Sequence, residues 1–252
     1  MAVLQELLTE LQPDLGQVQA ASHDWVCACC MGPVNAPWAR CFACDTLRRA
    51  GTPLALMERV VPVSIAINPG RWYNRLKGYK GGYPAYRAHL AALAWSFVDR
   101  HAMELSVLLG GDHTAIVPVP SKRGRTFESQ PLRQAISMVR PMRELLLNAL
   151  TYMPSADAPD LRRSYYPYCF DPADDTVAGH RVLLIEDTWV TGATALSAAG
   201  AIMERDAASV VILPIARVLD LAWWGRQGNV YVPKVEGEDR DPFDLSRWPR
   251  GE

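Results

Sequence analysis

The sequence predicts an α/β fold, with a parallel sheet flanked by helices and a small cysteine-rich module at the N-terminal end. Residues 181–185 (RVLLI) and 209–217 (SVVILPIAR) have the composition of buried strands, and TALSAAGAIMERDA between them has that of a helix. Continuous apolar strands joined by a helix are typical of a parallel sheet. Five of the six cysteines fall between residues 27 and 44, which indicates a separate module ahead of the sheet.

The composition narrows the class of protein. The chain has 252 residues, of which 49% are apolar and 21% charged, enough for one large domain and a small appendage. A formal net charge of −1 argues against a general nucleic-acid or membrane-surface protein. No apolar run is long enough to span a membrane, and the first twenty residues lack the basic segment of a signal peptide. We therefore expect a cytoplasmic protein without a membrane partner.

Four regions follow along the chain. We predict an amphipathic helix within 1–24, the cysteine module at 25–50, the α/β domain at 55–220, and a loosely ordered charged tail at 233–252. Within the α/β domain, 89–109 has helical periodicity, 115–120 (AIVPVP) is a short strand, and 131–150 is a helix interrupted by Pro141. Residues 68–87 are turn-rich and basic, and 151–180 are predicted to form a long loop or flap.

The cysteines form two Cys-x-x-Cys pairs separated by ten residues: Cys27, Cys30, Cys41 and Cys44. Four thiolates at this spacing suit tetrahedral Zn²⁺, and a site filled by four protein ligands is structural, of the zinc-ribbon-like kind. Cys29 is an alternative to Cys30, although the two-residue spacing favours Cys30. The other interpretation is a chance cluster of reduced cysteines. Cys169 stands alone and is interpreted as an incidental thiol.

The stretch VLLIEDTWVTGATALS (182–197) places two acids after an apolar strand. The carboxyl end of a parallel strand opens into the crevice where α/β sheets bind ligands. Glu186 and Asp187 are acceptors suited to the vicinal hydroxyls of a ribose. The residues that open the following helix, Thr191, Gly192, Ala193 and Thr194, offer backbone N–H groups and hydroxyls to a phosphate. The combination suits a ribose 5-phosphate.

This stretch has two other interpretations. A strand ending in acids also occurs as a Walker B element, but no G-x-x-x-x-G-K-[ST] motif is present in the chain. The threonines can also be a helix cap without any function.

The segment VLLIEDTWVTGAT resembles the binding motif for 5-phosphoribosyl 1-diphosphate (PRPP) of type I phosphoribosyltransferases. It departs from that family by carrying Thr188 and Trp189 where aliphatic residues are commoner, and Val190 where threonine is usual. The resemblance implies a type I phosphoribosyltransferase-like fold. It also implies these PRPP-binding residues: Glu186, Asp187, Thr188, Val190, Thr191, Gly192, Ala193 and Thr194.

A four-cysteine module ahead of such a domain resembles the ComF family, which is associated with DNA uptake in competent bacteria. LKGYKGG (76–82) and IVPVPSKRGRTFESQPL (116–132) are similar to that family's segments, although the element at 125–130 is altered. The resemblance covers residues 25–218. It implies Mg²⁺ bound with PRPP, a base or amine as acceptor, and pyrophosphate contacts from Lys122, Arg123 and Arg125. Arg162 and Arg163 are candidates on a closing flap.

Two functions follow from the resemblance: a PRPP-dependent phosphoribosyltransferase, or a non-catalytic PRPP- or nucleotide-binding accessory protein in DNA uptake. For nucleic acid, the basic and aromatic stretch WYNRLKGYKGGY (72–83) is the candidate surface. The simpler interpretation of that stretch is a turn with core aromatics. The sequence identifies neither the acceptor nor the oligomeric state.

Overall fold

The computed structural model describes residues 2–11, 26–35, 37–81, 83–122, 126–153, 163–172 and 176–220. Within these ranges, the main sheet is parallel and has the strand order β1-β6-β5-β2, and a second, antiparallel sheet pairs β3 with β4. The strands are β1 (Ile65–Asn68), β2 (Ala115–Pro118), β3 (Leu150–Tyr152), β4 (Phe170–Pro172), β5 (Arg181–Trp189) and β6 (Ser209–Asp220).

Helices cover both faces of the main sheet. They are α1 (Ala2–Leu11), α2 (Phe42–Arg49), α3 (Leu54–Met57), α4 (Arg71–Gly78), α5 (Pro84–Arg100), α6 (Ala102–Leu109), α7 (Pro131–Ile136), α8 (Arg140–Glu144) and α9 (Ala193–Met203). Short 3-10 helices follow α4 at Tyr79–Gly81, precede α7 at Phe127–Ser129 and precede β4 at Pro167–Cys169. The predicted mixed α/β architecture with a parallel sheet is confirmed at this level.

The central strands are buried on both faces, as their uninterrupted apolar sequences predict. Side chains alternate along β5, so that Val182 and Leu184 join one core while Leu183 and Ile185 join the other. The first core also holds the cysteine module, α3 and α9, and the second is built by α4 to α8. The sheet therefore separates the cysteine module from α4 to α8.

Strand β5 is longer than the sequence predicts. It does not end at residue 185 but continues through both acids to Trp189, because β6 extends to Asp220 and pairs with it as far as Trp189. On the other side, β2 ends at Pro118 opposite Ile185. The acids therefore lie within β5 but beyond the end of β2, and the crevice opens on that side.

Three other expectations need correction. Residues 151–180 are not all loop, since β3, β4 and a 3-10 helix lie there and leave 154–162 and 173–175 outside the described residues. The predicted helix over 89–109 is divided at His101 into α5 and α6. The turn-rich stretch contains a helix, α4, whose Trp72 is buried as core.

The chain termini are only partly described. The predicted N-terminal helix is present as α1, and Glu10 fixes it to the domain through Arg75 at 2.9 Å and His89 at 3.1 Å. The predicted tail at 233–252 lies outside the described residues. The helix predicted over 131–150 is interrupted, but at 137–139, and Pro141 lies in the first turn of α8. The C-terminal part of that prediction is wrong, because α8 ends at Glu144 and Leu150 begins β3. In the part of the chain that is described, none of the helices is long and apolar enough to cross a membrane.

Candidate functional site

A cleft of about 620 Å³ lies at the carboxyl ends of β2 and β5, within the size range of small-molecule sites. The 3-10 helix after α4, the segment after β2 and the first turn of α9 form its walls. Its lining residues are Tyr79, Lys80, Val119, Pro120, Ser121, Lys122, Gln130, Pro131, Leu132, Arg163, Glu186, Asp187, Thr188, Trp189, Val190, Thr191, Gly192, Thr194 and Ala195. Every predicted PRPP-binding residue except the buried Ala193 contributes to this lining.

Asp187 is the most constrained acid in the cleft. It is buried, and its Oδ2 accepts a hydrogen bond from the Tyr79 hydroxyl and pairs with the Lys80 ammonium. The hydroxyl of Thr188 donates to its Oδ1 at 2.9 Å. Three neighbours therefore hold this carboxylate in one orientation, and the two donors at Oδ2 come from the segment that follows α4.

Glu186 occupies a different environment from its neighbour. Its side chain is half-buried, and its Oε2 is fully buried without a hydrogen-bond partner among the described residues. Burial, and then the negative charge of Asp187, raise the pKa of Glu186 well above its usual range, against the opposing effect of Lys80. The pair therefore combines one fixed carboxylate with one that holds its proton more tightly.

The loop between β5 and α9 has the geometry of an anion site. Gly192 has a φ of +91°, and Ala193 N–H reaches the Thr191 hydroxyl at 3.4 Å as α9 begins. A Cβ added at Gly192 would overlap the indole ring of Trp189, which lies directly beneath it. Backbone N–H groups in the first turn of α9 lack intrahelical partners and carry the positive end of the helix dipole. A phosphate at this position would meet those groups.

The predicted pyrophosphate cations are only partly described. Lys122 is exposed and lines the cleft, while Arg123 and Arg125 lie outside the described residues, as does Arg162. Arg163, predicted on a flap, lines the cleft. Lys80 adds a further positive charge beside Asp187. Three cationic side chains thus face the same space as the two acids.

The four cysteines predicted as metal ligands come together as one buried cluster. The Sγ atoms of Cys27, Cys30, Cys41 and Cys44 all lie within 4.8 Å of one another, and those of Cys30 and Cys41 are 3.7 Å apart. A tetrahedral Zn²⁺ with Zn–S bonds of about 2.3 Å requires S···S separations of about 3.8 Å. The cluster is therefore compatible with Zn²⁺, and the ligand set includes Cys30 and not Cys29.

Local backbone structure explains how the cluster forms. Gly32 O accepts a hydrogen bond from Cys27 N at 2.8 Å, which closes the first Cys-x-x-Cys turn. Cys41 lies at the start of α2, and its N–H donates to Cys27 Sγ at 3.3 Å. Hydrogen bonds from the three other thiols of the set lower the pKa of Cys30 well below its usual range, whereas hydrogen bonds with Cys27 raise the pKa values of Cys41 and Cys44. Ionisation is thus favoured at Cys30 even inside the core.

A buried arginine lies between this cluster and the cleft. Arg217 on β6 is 3% exposed, and its Nη1 donates to the carbonyl oxygens of Trp189 at 3.0 Å and Val190 at 2.8 Å. Burial alone would lower its pKa, but the negative charge of the neighbouring cysteines raises it above the usual range. Arg217 is therefore a buried cation in contact with the loop that lines the cleft.

Tyr79, Gln130 and Arg217 are not predicted as site residues from the sequence, where Trp189 is only a departure from the PRPP motif. A signal existed for Tyr79 and Gln130, because both lie in segments already singled out, at 76–82 and 116–132. None existed for Arg217, whose contacts depend on residues distant in sequence. In the 72–83 stretch, Trp72 and Tyr79 are buried. The core interpretation therefore holds for these two rings, and they cannot stack on bases.

Comparison with known proteins adds no relative. No protein-family model matches the chain, and neither a curated protein nor a solved structure matches it. The function must therefore be argued from the residues of the cleft and of the cysteine cluster.

Proposed function

We propose that this chain is a phosphoribosyltransferase of the type I class, related to the ComF family, that binds PRPP in the cleft between β2 and β5. The proposal rests on one arrangement: the acids Glu186 and Asp187 and the first turn of α9 open into the same cleft. Acceptors for a ribose diol and donors for its 5-phosphate thus lie within one small site.

The two ends of PRPP fit different parts of this cleft. The 5-phosphate would lie at residues 191–194, where Gly192 lets the ligand approach the backbone closely. The ribose hydroxyls would face the acids. The diphosphate would extend toward Lys122 and Arg163, which line the same space and carry the opposite charge. Mg²⁺, when bound with the substrate, would neutralise part of the diphosphate charge.

The reaction is a substitution at C1 of the ribose. The bond from C1 to the diphosphate oxygen breaks, and pyrophosphate leaves with the electron pair. A bond forms from C1 to a nitrogen nucleophile, which then loses its proton. The protein would contribute by holding the ribose and neutralising the leaving group, since positioning and electrostatic stabilisation carry most of such a transfer.

The altered sequence at 125–130, which lies in the segment predicted to contact pyrophosphate, favours a second candidate, a protein that binds PRPP or a nucleotide without turning it over. In either candidate a ribose hydroxyl must share or displace the partners of Asp187 Oδ2, Tyr79 and Lys80. In the second candidate the cleft would bind its ligand as a signal, and any role in DNA uptake would lie in protein partners.

Calorimetric titration of the zinc-loaded protein with PRPP and Mg²⁺ tests the proposal. We expect Mg²⁺-dependent binding that Asp187→Asn weakens by about 1–3 kcal/mol, because a charged hydrogen-bond acceptor is lost. Asp171→Asn, which changes an exposed aspartate on β4, is the matched control and should bind as the wild type does. No binding of PRPP would refute the transferase, and no binding of PRPP or of a nucleotide would refute both candidates.

An assay of pyrophosphate release separates the two candidates. Bases and amines are supplied with PRPP and Mg²⁺, and release is measured against a reaction without protein. Release that depends on one acceptor supports the transferase. Binding without release over a broad set of acceptors supports the second candidate.

A further inference from the structure

Arg217 lies between the four-cysteine cluster and the loop after the acidic pair, two parts of the chain that were predicted from separate sequence motifs. It lies on β6, directly opposite Trp189 of β5 in the sheet register. Its side chain enters the layer that holds the cysteine cluster, where it is almost fully buried. A buried arginine is costly unless its charge and its donors are matched, so its neighbours indicate what it does.

On one side, Arg217 holds the loop that follows the acids. Nη1 shares its two hydrogens among the carbonyl oxygens of Trp189, Val190 and Val218, at 3.0, 2.8 and 2.8 Å. The Trp189 ring in turn supports Gly192, the residue before the first turn of α9. The guanidinium thus fixes the backbone from which the candidate phosphate site is built.

On the other side, Arg217 lies against the first Cys-x-x-Cys turn. The backbone at Gly32 is so close that an added Cβ would lie 2.8 Å from both Nε and Nη2 of Arg217. The negative charge of the cluster stabilises the charged form of this guanidinium, with contributions from Cys27, Cys30, Cys41 and Cys44. Four thiolates around Zn²⁺ carry a net charge of −2, which the guanidinium partly offsets inside this buried layer.

We propose that Arg217 is a positioning residue that couples the four-cysteine site to the Trp189–Gly192 loop, so that an intact metal site holds the loop in its binding conformation. The part of this inference that concerns ligand binding rests on the proposed function. The coupling itself does not, because it concerns contacts within the chain.

The shape of arginine explains why this residue suits the position. Its planar guanidinium donates to the loop carbonyls through Nη1 while Nε and Nη2 lie against the Gly32 backbone, whereas a lysine ammonium is a single point charge. Lysine would retain the positive charge beside the thiolates but would not reach both the loop carbonyls and the Gly32 turn. Methionine would remove the charge and the donors while filling most of the space.

Hydrogen–deuterium exchange on the zinc-loaded, ligand-free protein tests the coupling. We expect Arg217→Met to increase exchange at least tenfold in peptides covering 187–196 and 26–33, and to leave the centre of the sheet, 210–213, unchanged. Arg217→Lys should raise exchange at 187–196 while keeping one zinc per chain. Arg181→Met is the matched control: Arg181 also donates to a backbone carbonyl, that of Asp112 at 2.7 Å, but at the opposite end of β5.

The same measurement on wild-type protein before and after zinc chelation completes the test. Chelation should raise exchange at 187–196 in the wild type and add little in Arg217→Lys, where the link is already weakened. Exchange that rises equally throughout the sheet would mean that Arg217 is only a packing residue. Unchanged exchange at 187–196 in both Arg217 variants would overturn the proposal. If Arg217→Met does not fold, Arg217→Lys and the chelation experiment decide.

Coupling between two sites must be reciprocal. Saturating PRPP with Mg²⁺ should therefore slow the transfer of zinc to a colorimetric chelator at least fivefold in the wild type and in Arg181→Met, but not in Arg217→Lys. A wild type that binds PRPP without any change in zinc transfer contradicts the coupling. A wild type that does not bind PRPP contradicts the proposed function alone, and the exchange data then stand by themselves.

Discussion

The hydroxyl of Tyr79 donates a hydrogen bond to Oδ2 of Asp187, which joins two residues 108 positions apart in the chain. Tyr79 is buried in the 3-10 helix after α4, and Asp187 is buried near the end of β5. The contact therefore ties the segment that follows α4 to the acidic pair across one wall of the cleft. It fixes the orientation of the carboxylate through contacts within the chain.

Tyr79→Phe should lower the free energy of unfolding by about 1.5–3 kcal/mol, the range for a hydrogen bond to a charged group. Urea denaturation at neutral pH measures the change. Tyr73→Phe is the control, since Tyr73 is a half-buried tyrosine of α4 whose ring lies near the Lys77 ammonium. Equal losses in the two variants would show that the Tyr79 hydroxyl contributes nothing specific.

The raised pKa of Glu186 leads us to expect a specific pH dependence of the free energy of unfolding. Its pKa in the folded chain is raised above the usual 4.5, mainly by burial. At pH values between 4.5 and the higher pKa of the folded chain, the folded state binds more protons than the unfolded chain. The free energy of unfolding therefore falls as pH rises through that window. Below pH 4.5 this effect vanishes, because both states are protonated.

Glu186→Gln should therefore be more stable than the wild type at neutral pH, and should lose this part of the pH slope. Urea denaturation at intervals from pH 4.5 to pH 8 measures both effects. Glu58→Gln removes an exposed glutamate near α3 and controls for the change in net charge. A Glu186→Gln profile parallel to that of the wild type would contradict the buried, proton-retaining carboxyl.

The sequence was most informative where a local pattern determines a local structure. The apolar runs around Leu184 and Ile212 predicted two neighbouring parallel strands, and the small residues after Gly192 predicted α9. The spacing of the cysteines predicted a cluster that the fold assembles around Cys30 and Cys41. In each case, residues close in sequence carry the interaction.

Features that depend on distant residues were not predicted. The length of β5 was underestimated because β6 pairs with residues up to Trp189, and pairing with another strand leaves no mark in the strand's own sequence. The division at His101 was missed because the apolar periodicity continues across it. Arg217 looked like the last residue of a strand, and its importance lies in what the fold places on either side of it.

The geometry of the cysteine cluster indicates which substitution should abolish zinc binding. Purified protein should carry about one zinc per chain, and Cys30→Ala should carry much less, because three protein ligands leave the tetrahedral site incomplete. Cys29→Ala is the matched control: Cys29 is equally buried in the same module but lies outside the four-thiol set. Elemental analysis measures zinc content. Loss of zinc in Cys29→Ala with retention in Cys30→Ala would reverse the assignment of the ligand.

Replacing Gly192 by alanine should affect the loop in two separate ways. Its φ of +91° is unfavourable for any residue with a Cβ, at a cost of about 1–2 kcal/mol. The added methyl group would also collide with the Trp189 ring, and relief of such a collision costs about 1–3 kcal/mol more. Gly192→Ala should therefore destabilise the fold by about 2–5 kcal/mol and displace the start of α9.

Gly179→Ala separates the two effects, because Gly179 has a φ of +70° but nothing within 4 Å of an added Cβ. It should lose only the conformational part, about 1–2 kcal/mol, in urea denaturation. PRPP affinity should be unchanged in Gly179→Ala and reduced in Gly192→Ala beyond what unfolding explains, since only the second change reaches the candidate phosphate site. Equal destabilisation in the two variants would mean that the Trp189 ring yields freely, and that it does not support the loop as the structure indicates.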